Sequence, residues 1–164
     1  MYVSGRTGIS EDPLGLLFIP DKLRLMEDML TIRIMIEPPI AAMAARNATR
    51  QDIEKLHYHH AEVKQRILEG KEYHEHDAAF HTAIAMASKN MVVPRLIPII
   101  HTTISMLINV TQKALDKEAI TAHGELVQAI SDHDVMAAQD AMHVHLLPNR
   151  QLIHKLNKQE PSPD

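Results

Sequence analysis

From Leu23 onward, apolar side chains recur at intervals of three and four, the spacing of a helix with one buried face. Asp21 stands as an N-cap before the first such run: Leu23, Met26, Met29/Leu30, Arg33 and Ile36/Glu37. Pro38-Pro39 should break or sharply kink this helix, with a helical continuation through Arg46, because proline removes a ladder donor and crowds the preceding turn. Thr49 with Asp52 at its N3 position forms a variant of the capping box. The helix it opens carries an inward stripe of Ile53, Leu56, His60, Val63 and Ile67 and stops at Gly70. The next helix is expected from about Lys71 to Ser88. Asn90 then caps another, with Pro94 tolerable in its first turns and Pro98 predicting a bend. A helix from about Asp116 to Ile130 follows, then a turn at Ser131-Asp132-His133, and a last helix from near Asp134 that fades by Leu156.

Residues 1–20 read differently. Gly5, Gly8, Pro13, Gly15 and Pro20 keep them extended or looped, and Tyr2-Val3-Ser4 has the character of a strand end. No strand alternation and no internal repeat occurs beyond them. The pattern predicts an all-α fold, an antiparallel bundle of six or seven helices over residues 21–157, with a disordered tail at 158–164.

Composition narrows the function. A chain of 164 residues is long enough to bury a substantial core. Its formal net charge of −4 argues against gripping nucleic acid directly, since phosphate contacts need clustered Lys and Arg. The absence of cysteine excludes disulfides and thiolate metal sites and fits a cytoplasmic protein. No apolar run approaches the roughly 18 residues of a membrane span, and no signal-peptide pattern opens the chain. The anomaly is histidine, with 12 copies.

Helical phasing sorts these histidines. Asp77 and His81 lie one turn apart within the stripe Tyr73, Asp77, Phe80/His81, Ile84. His74 shares that line and is a further candidate, whereas Glu75 and His76 point elsewhere. His123 falls among Ile120, Val127 and Ile130, and His145 among Ala138, Met142, Leu152 and Leu156; His143 belongs to the polar face. The turn near Asp132 makes the last two helices antiparallel neighbours. At about 1.5 Å per residue, His123 and His145 differ in distance from that turn by roughly 5 Å, and the N-terminal lean of helical side chains reduces the difference.

Asp77, His81, His123 and His145 are therefore expected to converge in the core. A buried unpaired carboxylate is costly, and a divalent cation bound by that carboxylate and neutral imidazoles removes the cost. Three imidazoles and one carboxylate suit Zn²⁺, Ni²⁺ or another first-row metal. Taken singly, a histidine on an apolar stripe is more often a hydrogen-bonded core residue. His57-Tyr58-His59-His60 read as a solvated or interface face, and His101 and His154 carry no signal.

The motifs "RIMIE" (33–37), "DAAFH" (77–81), "AMASKN" (85–90) and "AHGELVQAISDHDVMAAQDAMHVHL" (122–146) resemble the FadR-type C-terminal effector domain (FCD) of GntR-superfamily transcription regulators. "MYVSG" resembles the last wing strand of a winged-helix domain. The resemblance implies a helical, dimeric, non-enzymatic module that holds a metal and a small effector, often a carboxylate. DNA would be contacted only through a winged-helix domain upstream, of which residues 1–20 are the linker and remnant. It implies the same four ligands, Asp77, His81, His123 and His145, and places Arg33 at the effector cavity, where a guanidinium can hold a carboxylate bidentately. Ala122 replaces the family's usual acidic residue, "SDHD" replaces a Gly-Asp turn, and Pro94 and Pro98 stand in a usually regular helix. The alternative is a metal-dependent hydrolase, since three His and one Asp with an open position can activate water. Against it, Glu125 is turned away from His123 by helical geometry.

Overall fold

The computed structural model describes residues 12–107 and 116–159, in which six α-helices and no strand occur. After a 3-10 turn at Leu16–Phe18 come α1 (Lys22–Asn47), α2 (Arg50–Leu68), α3 (His74–Ala87), α4 (Val93–Leu107), α5 (Asp116–Ser131) and α6 (Val135–Gln159). The all-α bundle expected from the periodicity is the fold observed. The expected strand end at Tyr2-Val3-Ser4 and most of the expected tail lie outside the described residues. Lys158 and Gln159, assigned to that tail, instead finish α6.

Local chemistry sets the helix ends. Asp21 accepts a hydrogen bond from the Arg24 amide at 3.0 Å. Thr49 and Asp52 complete a reciprocal capping box, with Asp52 Oδ2 accepting from the Thr49 amide at 2.8 Å and Thr49 Oγ1 accepting from the Asp52 amide at 3.3 Å. Asn90 Oδ1 accepts from the amides of Val92 and Val93. Asp134 Oδ1 does the same for Ala137.

Two helix expectations need correction. α3 starts at His74 rather than Lys71, because Gly70 and Lys71 close the end of α2. Gly70 has φ 65°, its amide donates to the Ile67 carbonyl, and the Lys71 amide donates to the Arg66 carbonyl, a Schellman arrangement. The second concerns Pro38-Pro39, which do not break α1. Beyond them Ile40, Ala41, Ala44 and Ala45 are buried, so tertiary packing holds the helical course across the two missing donors. α4 and α6 likewise run through Pro98 and Pro148.

α1 forms its most extensive pairing with α6 and also packs against α3, α4 and α5. α5 packs on α6 and α2, and α3 lies between α2 and α4. Leu56, Phe80, Ile84, Leu126, Ile130 and Leu146 are buried at the centre. Their removal from water is the main favourable contribution to the fold. Among the described residues, no helix is long and apolar enough to cross a membrane.

Candidate metal centre

The apolar core is interrupted by a polar cluster. Arg33, Glu37, His81, His101, His123 and His145 are all buried, and they come from α1, α3, α4, α5 and α6. Arg33 and Glu37 stand one turn apart on α1, and Asp77 and His81 one turn apart on α3. The turn at His133, with φ 56°, folds α6 back on α5 and brings His145 beside His123.

Three of the four expected ligands converge closely. One nitrogen each of His81, His123 and His145 lies within 4.8 Å of the others. His81 Nε2 is 3.2 Å from His145 Nε2, and the rings of His123 and His145 have centroids 4.7 Å apart. Asp77 joins through His123, with Oδ1 3.3 Å from His123 Nε2, and 22% of its side chain remains exposed. It therefore sits at the rim of the cluster rather than at its centre. His74 is part-buried and lies 3.9 Å from Glu72, outside the cluster.

The cluster's charge state follows from burial and neighbours. Burial pushes the protonated forms of His123 and His145 down, and the surrounding histidines and Arg33 reinforce this, so both stay well below the usual histidine range. Burial, Arg33 and His81 bring His101 down to about 4 against the opposing pull of Glu37. These rings are neutral at pH 7, the state a metal ligand requires. Burial alone would raise the Asp77 carboxyl, but His81, His101, His145 and Arg33 override it and hold the group below its ordinary value.

His123 gives the test of whether these residues fit a metal. Its side chain is fully buried, and neither ring nitrogen has a hydrogen-bond partner. A neutral imidazole carries one donor and one acceptor, each costly to bury unpaired. Phe80, stacked on it at 4.2 Å, offers no partner. An ordinary core histidine is hydrogen-bonded; this one faces a carboxylate oxygen and two imidazoles. The donor set of three imidazole nitrogens and one carboxylate fits a first-row divalent cation.

The structure also places Arg33, expected at an effector cavity. Its Nε is 2.5 Å from Glu37 Oε1 and its Nη2 is 3.3 Å from both Glu37 Oε2 and His81 Nε2. Arg33 thus reaches the histidine cluster while already forked onto Glu37. Burial would raise the Glu37 carboxyl, and Arg33 with His81 and His101 overrides this, keeping it well below the usual carboxylate range.

Two members of the cluster were not picked out by the sequence. His101 is buried, stacks on His81 at 4.4 Å, and has its Nε2 3.3 Å from Glu37 Oε1. Its signal was its position four residues after buried Ile97, obscured by Pro94 and Pro98. Glu37 shares the face of Arg33, and that phasing marked it as inward without giving it a role. In the His57–His60 segment, His57 and Tyr58 are exposed as expected, but His59 and His60 are part-buried. His76, expected to be solvated, is only 25% exposed in its side chain and lies 4.0 Å from Glu62. A groove of about 340 Å³ lined by Asp52, Lys55, His59, Thr82 and Met86 among others shares no residue with the polar cluster.

The FCD domain family model matches residues 28–147. Among solved structures, the chain is similar to Streptococcus agalactiae GntR, with TM-score 0.83 and 30% identity over 92% of this chain and 70% of that one. It is also similar in fold to E. coli McbR/YncC, with TM-score 0.70 and 18% identity over 82% of this chain and 66% of that one. No curated protein matches the chain in sequence.

Proposed function

We propose, from the premise that this chain belongs to the FCD domain family, that it is the metal-containing, small-molecule-sensing and dimerisation module of a GntR-family transcription regulator. Asp77, His81, His123 and His145 would hold the metal, with Zn²⁺ or Ni²⁺ the best match to the donors. When bound, the metal supplies a positive Lewis-acid anchor for an anionic effector. The single observation that carries the reading is His123, fully buried with both ring nitrogens unpartnered beside three other ligand groups.

The chain's own residues select the effector. Arg33 Nη2 lies 3.3 Å from His81 Nε2, so an anion at the cluster meets a guanidinium as well as the metal. A small carboxylate satisfies both, provided it shares or displaces the hold of Glu37 on Arg33. The site has no catalytic role in this reading. Glu125 is exposed and Glu37 is tied to Arg33, so neither is placed as a general base. The module acts in the cytoplasm as a homodimer and reaches DNA through an attached winged-helix domain. Effector binding favours one of two bundle arrangements and thereby the placement of the DNA-binding domains.

Metal analysis of protein purified without added metal, beside an Asp77→Ala/His81→Ala variant, tests the site. Metal in the parent chain and its loss from the variant is the expected result; two metal-free samples would sink it. A thermal-shift screen of Zn²⁺ and Ni²⁺ crossed with hydroxy acids, sugar acids and dicarboxylates tests the effector class. A carboxylate that raises the melting temperature only with metal present, and not in Arg33→Met, is the expected outcome.

A further inference from the structure

Glu37 is the best-buried acidic group among the described residues, at 2% exposed, and the proposed ligand set leaves it without a function. Its surroundings are ordered by donor and acceptor capacity. Arg33, a group with donors only, contacts both carboxylate oxygens. His101 Nε2 lies 3.3 Å from Oε1 and, facing an ionised carboxylate, must carry its proton there. His81 Nδ1 lies 2.7 Å from Oε2.

Glu37, His81 and His101 also offer ligand atoms close enough to hold a cation of their own. The guanidinium decides against that use. Arg33 Nε is already 2.5 Å from Glu37 Oε1, so a second cation would face a full positive charge across the same carboxylate. A supporting role remains, and the two sides of the His81 ring define it. On its Nε2 side stands Arg33 Nη2 at 3.3 Å, a donor that requires a lone pair on Nε2. On its Nδ1 side a Glu37 carboxylate oxygen lies 2.7 Å away, without hydrogen-bond geometry but close enough to disfavour a lone pair on Nδ1. No other acceptor meets Nδ1 among the described residues. The rings of His101 and His145 lie near-parallel to His81, at 29° and 28°, and limit its rotation.

We infer that Glu37, clamped by Arg33 and His101, is a positioning residue that holds His81 as its Nδ1–H tautomer and so keeps the lone pair on Nε2, where Arg33 Nη2 now meets it and from where a metal at the His123–His145 cluster would take it over. This rests on the metal reading for its purpose but not for its geometry. Carboxylates placed behind ligating histidines in this way fix ring orientation and raise ligand basicity. The R-x-x-x-E pair on α1 then serves the site through its glutamate as well as its arginine.

Two measurements test the inference. A long-range ¹H–¹⁵N spectrum of metal-stripped, histidine-labelled protein reads the His81 tautomer directly. Nδ1–H is expected in the parent chain, and a shift toward Nε2–H or a mixture in Glu37→Gln. Zn²⁺ affinity, measured by competition with a chromogenic chelator, should fall about 10- to 100-fold in Glu37→Gln. The double variant Arg33→Met/Glu37→Met strands no buried charge and should fold while remaining equally weak for Zn²⁺. If Glu37 were merely structural, the double variant would regain parental affinity, and that result overturns the inference. An Nε2–H tautomer of His81 in the parent chain also overturns it, whether or not either variant folds. A parent chain that takes up no Zn²⁺ but shows the Nδ1–H tautomer, lost in Glu37→Gln, would refute the metal reading and leave the positioning role standing.

Discussion

Replacing His123 by leucine separates a metal ligand from an ordinary core histidine, because the two roles predict opposite effects on the metal-free protein. His123 is fully exposed to the cost of burial: both ring nitrogens lack partners, and each unpaired group costs about 1–3 kcal/mol. Leucine is close in volume, so repacking beside Phe80 should cost under about 1.5 kcal/mol. Loss of the stack on Phe80 at 4.2 Å removes roughly 0.5–1.5 kcal/mol more. The balance is a gain of about 2 kcal/mol for His123→Leu in chelator. For a chain of 164 residues this corresponds to a melting temperature higher by roughly 4–8 °C. With Zn²⁺ at about 100 times its dissociation constant, the parent chain gains about 2.7 kcal/mol and the variant should gain nothing. Calorimetric melts in chelator and in Zn²⁺ should therefore cross, the variant leading without metal and the parent recovering that difference with it. A variant that melts well below the parent in chelator would falsify the premise that these nitrogens are unsatisfied. An undiminished Zn²⁺ shift in the variant would remove His123 from the ligand set.

Two further predictions concern the scaffold. Burial pushes the Asp52 carboxyl up, but Lys89 at 2.5 Å and the Thr49 cap bring it down to about 2 from 3.8. A depressed carboxylate contributes stability that is present above its unfolded pKa and lost as pH falls through the folded one, here from about pH 4 to pH 2. Discounted for the part-exposed Lys89, the contribution is about 1 kcal/mol, so urea unfolding of the parent should weaken by that much more than Asp52→Asn across the window; parallel pH profiles would remove Asp52 from the account. Gly124 lies within α5, and an added Cβ would meet His60 at 3.7 Å, an ordinary contact. Gly124→Ala should stabilise by roughly 0.5–1 kcal/mol through reduced backbone entropy in the unfolded chain, and a lower melting temperature would show that His60 cannot accept the methyl group.

Much of this arrangement was legible in one dimension because helical phase is a local property. The caps Asp21, Thr49 and Asn90 and the stop at Gly70 involve neighbours a few residues apart, and the structure realises each of them. The inward facing of His81, His123 and His145 followed from their stripes. What phasing lacked was the identity of each helix's neighbours. His101 enters the cluster only because α4 packs against α1 and α3, a pairing that no spacing within α4 announces. Glu37 acquires its role only when His81 and His101 arrive beside it. The break expected at Pro38-Pro39 fails for the same reason: the prolines weaken α1 locally, yet burial of Ala41, Ala44 and Ala45 on the far side holds the helix together.

Among the described residues, five of the six helices place a polar or charged side chain in one buried cluster, where well-packed leucines often give an equally or more stable core. Such a cluster makes the packing of α1, α3, α5 and α6 depend on what occupies it. Metal held by Asp77, His81, His123 and His145 would draw α3, α5 and α6 together, while Arg33 ties α1 to any anion that joins them. In the proposed reading each helix would gain contacts only in the arrangement that the ligand favours, and the free energy of binding would become a free energy of helix placement. By linkage, whatever holds α1 and α6 in that arrangement raises the affinity for the effector by the same factor. In the proposed reading, the stability withheld at the unpartnered His123 is what a bound metal would restore, which is what a sensor built from a helical bundle requires.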